Sequence, residues 1–393
     1  MQRFAFVIHP IDVRRDVARK YPIAKYLPEV VVAAGIRHLS PHVLSHITGI
    51  RSETTGAEAE GWFIACPLTP RQLLSLPPDV VYKKLVRCGR IAEDLGAGIL
   101  GLGALTSVVG DGGVTVARSL DIAVTTGNSY TTATAVEGAK RGAELMGTPM
   151  ESATVAVVGA AGSIGRTCAV LLARDAKRLV LVGRSTEKLA PLARELGQTT
   201  PAAIRTTDDI AAGLRDADVV VTVTSAVDAV ILPEHLKRGA VICDVARPRD
   251  VSVRVARERK DVLVIEGGLV AVPGEVDFGF SFGFPPRTAY ACMSETMMLA
   301  LEGRYESFTL GKEVSVAQAE ETRRLAGRHG FRLAGFRSFE AAVDEETIAG
   351  IRQAAAAATP EATAPSPEAR GKTGAAAGGA ARAHKQRSRG FGC

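Results

Sequence analysis

The chain holds little from which to build a disulfide framework or a metal centre. Its six cysteines, at positions 66, 88, 168, 243, 292 and 393 of 393 residues, include no CxxC pair and no metal-type spacing. That usage argues against a disulfide-stapled secreted fold and predicts a reducing, cytoplasmic setting. Long apolar runs are also missing. None approaches the roughly 18–20 residues of a membrane span, and the opening MQRFAFVIHPIDVRRD lacks a signal-peptide layout. Net charge is small, +6 from 48 basic and 42 acidic residues. Most of it sits after Ala354, where Arg370, Lys372, Arg382, Lys385, Arg387 and Arg389 face only Glu361 and Glu368. The remainder is nearly neutral, so no nucleic-acid partner is expected. At 46% hydrophobic and 23% charged residues, wholesale disorder is excluded.

The clearest pattern lies mid-chain. Ala153–Val158 is a continuous β-branched run, as a strand buried on both faces requires. It leads into Gly159-Ala-Ala-Gly162-Ser-Ile-Gly165 and a helical stretch, Arg166–Arg174. Strand-like runs recur at Arg178–Val182, Asp218–Val223, Ala240–Cys243 and Asp261–Ile265, with helical segments at Glu187–Leu196 and Asp208–Leu214 between them. Alternation at this spacing predicts an α/β fold with a doubly wound parallel sheet. Four segments follow from this. Residues 1–150 form the first part of a mixed α/β catalytic domain, and 151–270 a nucleotide domain inserted into it. Residues 271–353 return as helices, and 354–393 form a disordered, Ala/Gly/Pro-rich basic tail. Helices are expected near 12–20, 71–95, 131–146, Pro286–Glu302, Val314–Arg328 and Ser338–Gln353.

The glycine loop carries the first chemistry. Gly159 permits a tight turn, Gly162 admits a pyrophosphate to the backbone, and Gly165 lets the helix pack closely on the sheet. With Ala161, Ser163 and Ile164 these residues form a dinucleotide cradle at a helix N-terminus. The second strand ends in Val182-Gly183-Arg184-Ser185, where an NAD site would place an acid. Arg184, with Ser185 and Lys188 nearby, instead suits a 2′-phosphate, so NADP(H) is the expected cofactor; a solvated surface arginine is the alternative.

Cys292 falls in the second turn of the helix expected to begin at Pro286. A cysteine on an apolar helix is usually a small core residue. Beside an NADP site it also suits thioester chemistry, in which a thiolate takes an acyl group that hydride then reduces. Glu295, one turn on, would oppose ionisation if it faced the sulfur.

From the N-terminus to about residue 335 the chain resembles the long-chain acyl-[acyl-carrier-protein] reductases of cyanobacterial type. The stretches that carry the resemblance are Thr125-Thr-Gly-Asn-Ser-Tyr-Thr131, Ala153–Gly165, Gly267-Gly268, Tyr290-Ala-Cys292, Leu301-Glu-Gly303 and Arg328-His-Gly-Phe331. The resemblance implies NADPH-dependent reduction of a fatty acyl thioester to a fatty aldehyde through an acyl-enzyme on Cys292, with Glu295 in the matching pattern. It implies acyl-carrier protein or acyl-CoA as donor, raises an aldehyde-consuming enzyme as partner, and raises stimulation by a divalent cation such as Mg, for which no ligand motif is present. The chain departs from the family at Phe278-Gly-Phe-Ser-Phe-Gly-Phe284, whose alternating phenylalanines either line an acyl tunnel or form one apolar strand face.

Asn128 or Thr126 would offer a donor to the developing oxyanion; the alternative is a turn and cap for the next helix. His329-Gly330 reads as a last-turn histidine and C-cap, or as an acid–base residue if it folds back onto Cys292. His38, His42 and His46 recur every four residues, but Pro41 intervenes and no acid completes a set, so no metal site is assigned. Two other readings stay open: a shikimate-dehydrogenase-like enzyme reducing a carbonyl directly, and a non-enzymatic NADP-binding sensor or scaffold.

Overall fold

The computed structural model describes residues 1–281 and 283–357. Its first sheet is built from β1 (Gln2–Ile8), β2 (His42–Arg51), β3 (Glu58–Ala65), β4 (Ile99–Gly101) and β5 (Ala123–Thr125). Central β1 pairs in parallel with β3 and β4, β5 continues in parallel beyond β4, and β2 runs antiparallel to β3. Phe4, Phe6 and Phe63 fill one core, while Ala5, Val7 and Ile64 fill another on the opposite face. That period-two alternation is what a sheet covered on both sides demands.

The second sheet comprises β6 (Thr154–Val158), β7 (Arg178–Val182), β8 (Ala203–Thr207), β9 (Val219–Thr222), β10 (Val241–Asp244) and β11 (Leu263–Glu266), all parallel. Their order, β8-β7-β6-β9-β10-β11, is the doubly wound arrangement expected from the sequence, with its switch point between β6 and β9. The glycine loop leaves β6 at that point. Gly159 has φ +86°, and a Cβ there would lie 2.5 Å from the Val223 carbonyl oxygen at the end of β9. A Cβ on Gly165 would lie 2.2 Å from the Gly159 oxygen, so the helix Ser163–Ala173 can approach only because that residue has no side chain.

After β11 the chain returns to the first sheet. β12 (Leu269–Ala271) pairs with β14 (Thr288–Tyr290), while β13 (Gly274–Asp277) lies antiparallel to β2 and completes the first sheet's edge. The helix Ala291–Leu301 then buries Met297, Met298 and Leu301 among Phe4 and Phe6. The long helix Asn128–Met146 joins the two halves. Tyr130 and Ala133 share the first sheet's core, while Ala135, Ala139 and Ala143 pack with Val155 and Val241 of the second. Its small residues permit the approach, since a Cβ on Gly142 would meet Val241 at 2.8 Å.

Several boundaries differ from expectation. The helix expected from Pro286 starts at Ala291, because Thr288–Tyr290 pair with β12 and Arg287 takes φ 58°. The expected helix Ser338–Gln353 is a hairpin of Phe336–Ser338 with Ala341–Val343, turned by Phe339 and Glu340 at positive φ, followed by the helix Glu345–Ala356. That helix takes in 354–356, which were expected in the tail; the rest of the expected tail, 358–393, lies outside the described residues. Pro77 and Pro78 split the expected 71–95 helix into Pro70–Ser75 and Pro78–Asp94. Among the described residues no helix is long and apolar enough to cross a membrane.

Replacing Gly165 with Ala should cost about 1–3 kcal/mol through overpacking against the Gly159 backbone. The measurement is a lowered urea midpoint with weakened dinucleotide binding. Wild-type values for both would show that the loop relaxes freely.

Candidate active site

Cys292 is the second residue of the helix Ala291–Leu301, in its first turn rather than its second. Two glycine segments close around it. A Cβ on Gly127 would lie 2.3 Å from the Cys292 Cα, and one on Gly103 would lie 3.2 Å from its Sγ. Gly127, at φ +71°, is the turn between β5 and the helix Asn128–Met146. Gly103 follows β4, and next to it Ala104 adopts φ 48°, a left-handed conformation that a residue with a Cβ adopts at a cost.

Glu295 holds this arrangement from beneath. Its fully buried carboxylate accepts hydrogen bonds from Thr125 Oγ1 (2.6 Å), Ser129 Oγ (2.5 Å), the Tyr130 N–H (2.9 Å) and Thr309 Oγ1 (3.0 Å). Burial pushes the Cys292 thiol up to about 12 and the nearby Glu295 charge adds to this, while backbone groups of Met293 and Ala104 pull the other way. The resting thiol is therefore protonated. It is also the one half-buried cysteine among the described residues; Cys66, Cys88, Cys168 and Cys243 are buried.

Cys292 lines a cleft of about 1680 Å³ that also takes in Asn128, Ala161, Gly162, Ser163, Ile164 and Arg184. Gly159 and Gly165 shape the loop from below. No side chain caps the start of the Ser163–Ala173 helix, which leaves backbone donors for a phosphate group. Three candidates fall elsewhere. Thr126 is fully buried and donates to the Thr309 carbonyl at 3.0 Å, so its hydroxyl is spent on the loop and it does not line the cleft. Ser185 caps the next helix by accepting from the Lys188 N–H, and neither residue lines the cleft.

The other candidates also resolve. His329 Nδ1 lies 2.8 Å from Ser52 Oγ and its Nε2 2.7 Å from Glu302 Oε1, with Gly330 as the left-handed C-cap. His42 and His46 lie on β2, not on a helix, and His46 pairs with Glu60 at 3.0 Å. Among the described residues no group of three or more His, Cys, Asp or Glu could hold a metal ion, so a stimulating cation finds no ligand set. Phe278 stacks on Phe63, 5.9 Å between centroids, while Phe280 and Phe284 reach the cleft. Of the two alternatives, the strand face does not form among the described residues, since β13 ends at Asp277; Phe282 lies outside them.

Sequence reasoning passed over Ala104 and Arg247. Arg247 is buried beside the cleft and donates through Nε to the Tyr290 hydroxyl at 2.9 Å, tying the loop after β10 to the residue that precedes the cysteine helix. The Arg-Pro-Arg-Asp run at 247–250, at a strand's carboxyl end, was the available signal.

A glycine loop at the switch point of a doubly wound sheet, opening on a cleft, defines the fold of an NAD(P)-dependent oxidoreductase. Residues 141–266 match the family model for shikimate / quinate 5-dehydrogenase. The chain is 30% identical over 304 residues to aminotransferase PigE of Serratia sp., covering 77% of this chain and 36% of that protein. It therefore spans about a third of that relative's length. It is 27% identical over 349 residues to the long-chain acyl-[acyl-carrier-protein] reductase of Synechococcus elongatus, covering 82% of this chain and 95% of that protein. Among solved structures, L-tryptophan dehydrogenase from Nostoc punctiforme aligns with 67% of this chain and 70% of its own, at 14% identity and a TM-score of 0.35.

With the thiol pushed up to about 12, its ionised fraction grows tenfold per pH unit below that value. Alkylation of Cys292 by iodoacetamide in the free protein should therefore rise steadily from pH 7 to 10. A plateau near pH 8, read by peptide mass spectrometry, would show a thiolate already formed.

Proposed function

We propose that this chain reduces a fatty acyl thioester to the aldehyde at the expense of NADPH, with Cys292 carrying the acyl group. The observation that carries the reading is that the half-buried Cys292 thiol and the dinucleotide loop line the same cleft. The relation to the Synechococcus reductase along 95% of that protein supports the same reaction class.

The loop residues fit a dinucleotide, because any side chain at Gly159 or Gly165 would collide with backbone and close the approach. When bound, NADPH supplies the hydride. Arg184, exposed at the end of β7 and lining the cleft, pairs with the 2′-phosphate. The Cys292 sulfur attacks the thioester carbonyl, the carrier thiol leaves, and the acyl group stays on the protein until reduction frees the aldehyde. Asn128 lines the cleft and offers its amide to the oxygen charge that develops, while the Ala104 backbone group acts on the sulfur itself. Phe280 and Phe284 offer apolar surface to the acyl chain, and acyl-carrier protein or coenzyme A is the donor.

A rival reading, direct reduction of a small carbonyl, draws on the shikimate / quinate 5-dehydrogenase match, which stops at residue 266 and leaves Cys292 outside it. Intact-protein mass spectrometry separates the two. A long-chain acyl thioester without NADPH should leave one acyl group on Cys292, discharged as aldehyde when NADPH is added. Cys292→Ala should lose both adduct and turnover while binding NADPH as wild type does. Turnover retained in that variant would favour direct reduction.

Cofactor choice gives a second test. Arg184→Ala should weaken NADPH binding by about 10- to 150-fold, equivalent to about 1.5–3 kcal/mol for a charged hydrogen-bonded pair. Binding of NADH should stay within about twofold. Equal losses for both would remove Arg184 from the 2′-phosphate.

A further inference from the structure

One helix of the molecule is apolar on every face yet lies at the surface. The helix Glu29–Arg37 has no polar side chain between its first and last residues, and only Val32 and Ile36 of it are buried. A helix apolar all round is ordinarily enclosed, so its outer face calls for a cover. It packs with the helix Val13–Lys20 and the short 3₁₀ helix Pro22–Tyr26 around a small core of its own, made by Val13, Ala24, Val32 and Ile36. Of twelve large apolar side chains exposed among the described residues, six fall between Tyr21 and Leu39. Ile23, Tyr26 and Val30 stand out furthest, at 68%, 74% and 80% exposure. Val30, Ala34 and Arg37, spaced along one side of the helix, line the cleft.

We propose that these three helices form a docking surface for an anionic lipid bilayer, with Ile23, Tyr26, Val30 and Val31 entering the boundary between headgroups and acyl chains. Charge supports that occupant. Lys20, Lys25 and Arg37 are exposed and join no ion pair among the described residues, and the Lys25 ammonium lies 4.7 Å over the Tyr26 ring. Of the acids, Asp16 is held by Arg15 at 3.4 Å and Arg19 at 3.9 Å, and Asp12 caps the first helix, which leaves Glu29 opposed to them. Basic groups beside protruding aromatic and aliphatic side chains are what holds a helix at the surface of a membrane with acidic headgroups. Shape supports it too. A protein partner needs a matching pocket for each protruding side chain, whereas lipid closes around any apolar shape. In a two-fold contact with a second copy, Lys20, Lys25 and Arg37 would be set against their own counterparts. The surface does not depend on the role of Cys292. It bears on that role in one respect: Val30 belongs both to this surface and to the cleft, so an apolar substrate or product would exchange with lipid at the cleft's edge.

The test is flotation of the full chain with vesicles of phosphatidylcholine alone and of phosphatidylcholine with about 30% phosphatidylglycerol. Wild type should float with the anionic vesicles, less with the neutral ones, and less again as salt is raised. The triple variant Ile23→Ser, Tyr26→Ser, Val31→Ser, at positions off the cleft lining, should bind anionic vesicles at least about tenfold more weakly. It should keep the wild-type urea midpoint and NADPH affinity. Lys20→Ala with Lys25→Ala reaches the surface a second way, and should lose about fivefold per lysine on anionic vesicles and little on neutral ones. Wild type that fails to float with anionic vesicles overturns the proposal. Binding within about threefold of wild type in either variant also overturns it, assigning the lipid affinity to another part of the chain. Two further results without flotation overturn it as well. A wild-type dimer that the triple variant makes monomeric gives the face to self-association, and acyl-carrier protein held by wild type but not by the triple variant gives it to that partner.

Discussion

A single buried carboxylate sets the geometry on which the site depends. Glu295 is fully shielded from water, and an ion so placed is tolerable only if its oxygens are satisfied. Its four donors come from the end of β5, the start of the Asn128–Met146 helix and the loop at Thr309. The first two follow one another in the chain and the third lies some 180 residues on, and the carboxylate fixes them against one another. Cys292 lies one turn earlier on the same helix and so lands against the Gly127 turn. The same charge helps keep the sulfur protonated. Position is gained at the expense of intrinsic reactivity: under the proposed chemistry another group must remove the proton as the sulfur attacks.

The two halves of the molecule are joined by packed elements. The Asn128–Met146 helix begins beside the sulfur and ends packed on the second sheet, an all-helical connection with no break among its nineteen residues. A second link runs through Arg247, whose side chain leaves the loop after β10 to hold the Tyr290 hydroxyl. The thiol and the nucleotide loop are thus registered to each other by covalent rise along a helix and by a buried guanidinium. Proximity of this kind lowers the entropy cost of bringing reacting groups together.

What the sequence disclosed follows from which constraints are local. The second sheet was legible because strands buried on both faces leave continuous runs such as Val155–Val158, and because backbone collisions at Gly159 and Gly165 exclude every side chain. Cys292 was legible through its surroundings, not through its own position. The helix start at Ala291 was not, since it depends on Thr288–Tyr290 pairing with β12, a contact that periodicity within the segment does not report. Thr126 and Asn128 could not be told apart from their spacing; only the path of the Thr309 loop takes one hydroxyl and leaves the other side chain to the cleft. Ala104 enters the site because β4 pairs beside β1, although more than ninety residues separate Phe6 from Gly101 in the chain.

The return of β13 to the edge of the first sheet bears on how the protein is made. The strand that covers β2 lies beyond the whole nucleotide-binding sheet, so more than two hundred residues must be synthesised between the two partners. At about 5–20 residues per second, β2 waits roughly 10–45 s on the ribosome with its outer row of peptide groups unpaired. An uncovered strand edge is a template for pairing with other chains. The first sheet is therefore born before it can close, while the doubly wound sheet has all its strands in sequence and can fold as it emerges.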